Sequence, residues 1–426
     1  MGKILFPLGL GTALSLLGDA TLYTVLPTHT AEAGITLAGV GIILGVNRAV
    51  RLFINGPAGL AYDRWARRRL FVPALFVGAL STAIYAATRG FWPLFIGRLL
   101  WGLAWSGIWV GGATIILDAA APEERGRWTG LYQIWFYVGG ALGALGGGVL
   151  TDLLGYNPTM WIFSALTALG GLVAFFMLPE TRRTREKPGR ESHVRGHGDR
   201  EVPSPGPRES QQDDSPRLAS SSTSISREVS GVHIRNNRNL WLAVSLQGVN
   251  RFILSGVISA TLGLLVLDWM QSADIVLGVA TVTGVLMAVR TLLGMVAAPV
   301  AGTLSDRLTG RWSIMAWGLA IGAAGMALLA WETPVAIMAG ITATSISGGS
   351  VQSLATALTG DLVGRAQRGR AIGLLHTAGD FGSAIGPSMA YILLPWIGLR
   401  AVYLLCAALF LLSLIFVMSF AAKERI

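Results

Sequence analysis

Gly59-Leu-Ala-Tyr-Asp63-Arg64 runs into Trp-Ala-Arg67-Arg68-Arg69, and Gly302-Thr-Leu-Ser-Asp306-Arg307 runs into a second turn ending in Gly310-Arg311. The two stretches lie 243 residues apart. So do Asp118 and Asp361, Arg125 and Arg368, Arg127 and Arg370, Gly139 and Gly382, and Gly143 and Gly386. Several distinct motifs sharing one offset point to a duplicated chain, each copy carrying the same signals at the same depth.

Around these motifs the sequence is apolar. Of 426 residues, 52% are hydrophobic and only 13% charged, against roughly 25% charged in a soluble domain. Uninterrupted apolar runs long enough to cross a bilayer predict twelve helices, near 5–26, 37–59, 70–88, 92–117, 128–150, 159–178, 239–267, 275–300, 313–330, 334–358, 370–394 and 399–420. The 55 glycines suit close helix packing in lipid. The expected fold class is therefore an all-α integral membrane protein of two six-helix halves. The domains are an N-terminal bundle over 1–179, a cytoplasmic linker over 180–238 and a C-terminal bundle over 239–426. The linker is rich in Arg, Ser, Pro and Glu without apolar period, a composition that predicts disorder. His193 and His197 within it are read as solvated residues, not metal ligands, because a floppy chain does not preorganise a site.

The net charge of +10 is a matter of topology, not of nucleic-acid binding. With the N-terminus placed in the cytoplasm, fourteen of the 33 Lys and Arg fall on cytoplasmic ends and loops and two, Arg89 and Arg400, on the other side; twelve more lie in the linker and five inside the spans. This asymmetry predicts a multi-pass protein of the cell membrane with both termini on the cytoplasmic side. The first apolar run carries no cleavage pattern and reads as a retained helix. The one cysteine, Cys406, allows no intramolecular disulfide. Neither H-E-x-x-H nor a Walker motif is present, so no enzyme activity, cofactor or metal is expected.

The motifs resemble those of the major facilitator superfamily, over both helical blocks. Gly59, Asp63, Arg64 and Arg67–Arg69 match the family's loop motif between its second and third helices, with Ala66 in place of the second glycine. Gly302, Asp306, Arg307, Gly310 and Arg311 repeat it with one extra residue. Asp118 with Arg125 and Arg127, and Asp361 with Arg368 and Arg370, look like the signature of the loop after helix four and its repeat. The resemblance implies gating roles for Gly59, Asp63, Arg64, Asp118, Arg125, Arg127, Asp306, Arg307, Asp361 and Arg368. In particular, Asp63 is placed to accept N–H groups from a neighbouring helix N-terminus. Arg98 with Gly102 resembles the R-x-x-x-G motif linked to proton transfer. Gly139-x-x-x-Gly143-Ala144-x-x-Gly147-Gly148 resembles the antiporter motif, with Ala144 where a proline is usual. Gly18-Asp19-Ala-Thr to Pro27 is similar to the helix-one signature of drug/proton antiporters, one residue short.

Charged groups inside a bilayer are costly and mark function by default. Seven are expected inside the spans: Asp19, Arg48, Arg51, Arg98, Arg251, Arg290 and Asp380, with His376 beside them. Spacings of three and four align Asp19 with Tyr23, Asn250 and Arg251 with Gln247, and His376 with Asp380 on single helix faces. A polar face must turn to other helices or to a wet cavity, so these residues are expected to line a cavity between the halves. Trp101 and Trp105, with Trp109, form an aromatic stripe that either lines that cavity or packs the bundle. Asp19 is either a proton carrier or the partner of Arg48 or Arg51. The expected function is alternating-access secondary transport by a monomer, with proton-coupled efflux of small amphipathic or hydrophobic compounds as the first reading. Proton-coupled transport of organic anions or of phosphorylated or lipid-like substrates is the alternative, since five arginines face two aspartates.

Overall fold

The computed structural model describes residues 1–181, 237–272, 278–307, 310–364 and 367–423. Most of the 180–238 segment, including His193 and His197, lies outside them. The described residues belong to one compact unit that takes in both helical blocks.

The apolar runs form helices α1 (Gly2–Val25), α2 (Leu37–Arg64), α3 (Arg67–Ala87), α4 (Phe91–Ala119), α5 (Arg125–Leu154), α6 (Tyr156–Met177), α7 (Arg238–Ser272), α8 (Val279–Arg307), α9 (Arg311–Leu329) and α10 (Pro334–Asp361). A final helix, Arg368–Lys423, is broken at Gly398 (φ 75°, ψ 167°) into α11 (368–397) and α12 (399–423). At about 1.5 Å per residue, that last helix is far longer than a hydrocarbon core of about 30 Å, so Gly398 divides two spans. The chain is a multi-pass membrane protein. Among the described residues there is no strand.

The ends are set locally. Thr333 accepts from Ala336 N with Pro334 in the first turn, and Asn237 caps α7 through Leu240 N. Glu180, beyond α6, accepts from Arg67 N (2.9 Å) and Arg68 N (3.1 Å) and so caps α3. Large side chains remain exposed along the outside, among them Trp92, Trp331 and Trp396 near one set of helix ends and Trp65 at the other. This suits a surface solvated by lipid with aromatic residues at its interfaces.

The duplication is visible as packing. In the first half, α1 packs on α5, α2 on α4 and α3 on α6; in the second, α7 packs on α11, α8 on α10 and α9 on α12. Glycines carry the first of these pairs in both copies. A Cβ on Gly139 would fall 2.6 Å from the Ala13 backbone, and one on Gly382 would fall 2.2 Å from Gly248 O. The motif of α5 thus serves close packing on α1.

The halves meet along α2–α11 and α5–α8. The closest approaches cluster toward the ends remote from the arginine-rich loops. A Cβ on Gly45 would lie 2.3 Å from Ala384 O, one on Gly148 would lie 2.1 Å from Ala280 O, and one on Gly284 would lie 2.4 Å from Ala144 O. At the basic end, Cβ atoms on Gly59, Gly126, Gly130, Gly369 and Gly373 would meet nothing within 4 Å.

Candidate functional site

Arg98 of α4 is wholly buried. Its Nη1 donates to Asp19 Oδ1 of α1 at 2.5 Å and its Nε to Ile43 O of α2 at 3.1 Å. A lone guanidinium would be expensive at this depth; the carboxylate offsets its charge. Tyr23, one turn beyond Asp19, lies between two cations: the Arg98 and Arg48 guanidinium carbons stand 5.1 and 5.3 Å from its ring centre. Its hydroxyl donates to Leu44 O (2.7 Å) and accepts from Arg48 Nε (3.1 Å). The expected pairing of Asp19 with Arg48 or Arg51 is therefore corrected. Arg98 reaches Asp19 first, and Tyr23 occupies the space between Asp19's helix and Arg48.

Arg51 is used elsewhere. Its Nη2 donates to Asp380 Oδ1 at 2.7 Å, while Asn55 Nδ2 donates to Asp380 Oδ2 at 3.3 Å. This joins α2 to α11, and so one half to the other. Asp380 stands about 18 Å along its helix from Arg368, near the middle of the membrane.

Among the described residues, Arg290 of α8 has no carboxylate partner. Its Nη1 donates to Ser259 Oγ (3.1 Å) and its Nη2 to Leu254 O. Leu254 lies in a π-helical segment, Phe252–Ile258, that interrupts α7 directly after Arg251. The wider turn displaces carbonyls from ordinary helical pairing, and Arg290 and Ser259 Oγ both bond to the Leu254 carbonyl. Nothing in Phe252-Ile-Leu-Ser-Gly-Val-Ile258 announces this segment in the sequence. Arg251 packs beside Gly379, next to Asp380; a Cβ there would lie 3.3 Å from its Cγ. Asn250 is buried and donates to Gly348 O of α10 at 3.5 Å. His376 is accessible on α11, one turn before Asp380. Two aspartates therefore neutralise Arg98 and Arg51, and among the described residues Arg48, Arg251 and Arg290 form no ion pair.

The aromatic stripe turns away from this region. Trp101 and Trp105 are buried, Trp101 against Gly78 of α3, and the rings of Trp101, Trp105 and Trp109 stack at 5.9 Å intervals with Phe136 alongside. Trp101 and Trp105 belong to the core of the first half. Their placement in the cavity is corrected: a tryptophan is the filler that the small residues facing α4 require.

At the basic end, Arg67 Nε meets Asp118 Oδ2 at 2.8 Å and Arg311 Nε meets Asp361 Oδ2 at 2.6 Å, with Asp306 3.5 Å from Arg311 Nη2. These are the same bridge in both copies, from the first residue of α3 or α9 to the end of α4 or α10. Each stays within its half. Arg67 and Arg311, not the residues after the loop, are the partners of the two aspartates. Arg125, Arg127 and Arg307 are exposed, Arg127 lying against Trp128, and Arg368 Nε donates to Gly360 O (3.0 Å). Asp63 is exposed and, among the described residues, accepts no hydrogen bond, so the contact expected of it is not made in this conformation. Arg64 and Gly59 border the same open end.

Comparison with known proteins agrees with this architecture. The chain is 27% identical over 178 residues to the class B tetracycline resistance protein of Escherichia coli, covering 41% of this chain and 44% of that protein. It is 28% identical over 177 residues to the inner membrane transport protein YajR of Escherichia coli K12, covering 41% and 38%. In neither case does the match reach half of the relative's length. Among solved structures, a bacterial homolog of the human lysosomal transporter Spinster, in an inward-facing and occupied conformation, superposes with a TM-score of 0.75 at 15% identity, covering 99% of this chain and 96% of that one. The human organic anion transporter MFSD10 (TETRAN) gives 0.65 at 19% identity, covering 97% and 99%. These relatives and neighbours are transporters, not enzymes. The Major Facilitator Superfamily model matches residues 8–277 and 240–425, which together take in both six-helix halves, and the chain belongs to that family.

Proposed function

We propose that this protein is a secondary transporter working by alternating access, and that its substrate is a small amphipathic organic anion. The observation that carries the reading is the charge left at mid-depth. Among the described residues Arg48, Arg251 and Arg290 form no ion pair, and five arginines stand against two aspartates at this depth, which leaves a positive excess where charge is expensive. A carboxylate or phosphate entering from water would supply the missing partner. With the arginine-rich loops on the cytoplasmic side, the separated ends are cytoplasmic and the conformation is open inward. The protein works as a single chain in the cell membrane, with both termini cytoplasmic.

Protons provide the coupling in this reading. Protonation of Asp19 would release Arg98, and protonation of Asp380 would release Arg51 and loosen α2 from α11. Each event trades an ion pair for a conformational change. Proton-coupled efflux of neutral or cationic amphipathic compounds is the second reading. The helix-one signature around Asp19 and the similarity to a tetracycline resistance protein favour it.

Reconstituted vesicles loaded with a pH-sensitive dye separate the two. Organic carboxylates and phosphates that move protons in the wild type, and lose that effect with Arg251→Gln, support the anion reading. Flux driven by lipophilic cations alone, and abolished by Asp19→Asn, would overturn it in favour of efflux.

A further inference from the structure

At the end of the molecule remote from the arginines, Asp152 in the last turn of α5 reaches across to the other half. Its Oδ2 accepts a hydrogen bond from Thr281 N at 2.6 Å. Thr281 is the third residue of α8, which begins at Val279 behind Gly278. The first N–H groups of any helix lack intrahelical partners. A side chain at the residue before the helix normally accepts from the second or third of them. Here that residue is glycine and has no side chain to offer. A Cβ on Gly278 would fall 1.9 Å from Asp152 Oδ2, so the carboxylate occupies the space a local capping side chain would need. The helix dipole adds to the bond, because a negative charge is favoured at a helix N-terminus. Two other helices are capped by distant carboxylates: Glu180 serves α3, and Glu32 accepts from Tyr156 N (3.1 Å) at the start of α6. Both join elements of one half. Asp152 alone of the three joins the two halves.

We infer that Asp152 is a positioning residue of the transport cycle: it caps α8 only while the outer ends of the halves are together, and so biases the protein toward the inward-open state. The inference rests on the alternating-access reading. When the outer ends separate, α5 leaves α8, Thr281 N loses its acceptor to water, and the helix start is exposed without a cap of its own. The repeat has no second copy of the device, since Pro395 stands at the position corresponding to Asp152.

The test measures the separation of the outer ends away from the contact itself. Spin labels are placed at Leu37 on α2 and Trp396 on α11, with Cys406 changed to Ser, and distance distributions are recorded for the full-length protein in lipid. In Asp152→Ala the ratio of outer-closed to outer-open populations is expected to fall roughly fivefold, the effect of losing one cap. Asp152→Asn keeps an acceptor for Thr281 N but loses the charge that the helix start favours, so its distribution should fall between those of the wild type and Asp152→Ala. If Asp152→Ala lowers the unfolding midpoint but leaves the distribution unchanged, Asp152 merely completes a helix and the inference fails. It fails also if Asp152→Asn shifts the distribution more than Asp152→Ala does. A loss of all proton-linked flux by the wild type, with these distances still shifting, would strike the transport reading and leave the cap intact.

Discussion

The two ends of this molecule use the same residue types for different purposes. At the outer end the halves are in backbone contact, and a carboxylate of one half, Asp152, bonds the helix start of the other. At the basic end the carboxylates Asp118 and Asp361 pair with Arg67 and Arg311 inside their own halves, and the glycines along α2, α5 and α11 look into open space. Burial differs in step. Arg98 is inaccessible in its pair with Asp19, whereas Asp361 is more than half exposed in its pair with Arg311. A charge pair sealed from water holds structure; one open to water mainly orients it. The contrast teaches that the arginine-rich loops brace each half by itself, while the polar contacts between the halves lie at mid-depth and at the opposite end.

The largest effect expected from this contrast follows the sealed pair. Arg98→Ala leaves Asp19, only partly accessible, without its cation, beside Tyr23 and the carbonyl of Ile43. Truncating one member of a buried pair costs about 3–5 kcal/mol. Thermal unfolding in detergent should drop by several degrees, and Asp19→Asn with Arg98→Ala should recover most of the loss. A double variant no better than the single one would break the assignment of this pair.

Next comes the backbone contact between halves. Gly45→Leu inserts a side chain where even a Cβ would lie 2.3 Å from Ala384 O. Overpacking of this kind costs about 1–3 kcal/mol, and it falls on the outer-closed state alone. Labels on α2 and α11 should report outer opening, with folding preserved. Gly59→Leu, at the open basic end, should leave that distribution unchanged. An equal response to both substitutions would remove the distinction between the ends.

Substrate recognition sharpens the comparison at mid-depth. Arg251→Gln removes a cation with no ion-pair partner among the described residues. It should weaken binding of an anionic substrate by about 10- to 100-fold, the loss of one charge-assisted hydrogen bond, while stability holds. Binding measured by calorimetry with a panel of organic carboxylates would check this. The same substitution at Arg51 should cost stability as well, because Asp380 would be left buried without its partner.

Much of this is legible in the sequence, for physical reasons. A span must be apolar over its whole length, so the helices appear as composition, and the offset of 243 residues exposes the duplication without any structure. The break expected between the spans 370–394 and 399–420 falls at Gly398, where the chain takes a positive φ that glycine adopts readily. The site is legible as a set of residues but not as a set of pairs. Periodicity assigns Asp19, Arg48, Arg51 and Arg98 to helix faces, yet it carries no information on which faces meet. For that reason the sequence matches Asp19 to the arginines of the neighbouring helix, when α4 supplies the partner. The tryptophan stripe misleads for a related cause: a face of Trp101 and Trp105 serves a core or a cavity equally well until Gly78 is seen opposite. The π segment of α7 and the Asp152–Thr281 contact leave no pattern at all, since both depend on backbone groups that every residue shares.

The smallest expected effect is also the most stringent for the duplication. Arg67–Asp118 and Arg311–Asp361 are one interaction made twice, at the same helix ends, and both retain access to water. Ion pairs of this kind contribute about 0.2–1 kcal/mol. Arg67→Ala and Arg311→Ala should therefore each lower the unfolding midpoint by about a degree, with salt reducing both effects. The first should be the larger, because Arg67 is the more buried of the two and Asp118 is less exposed than Asp361. Neither should move the distance between the outer ends of α2 and α11, since neither bridge crosses between the halves. A shift there from either variant would mean that the basic end takes part in choosing the conformation, and the division of labour between the two ends would have to be redrawn.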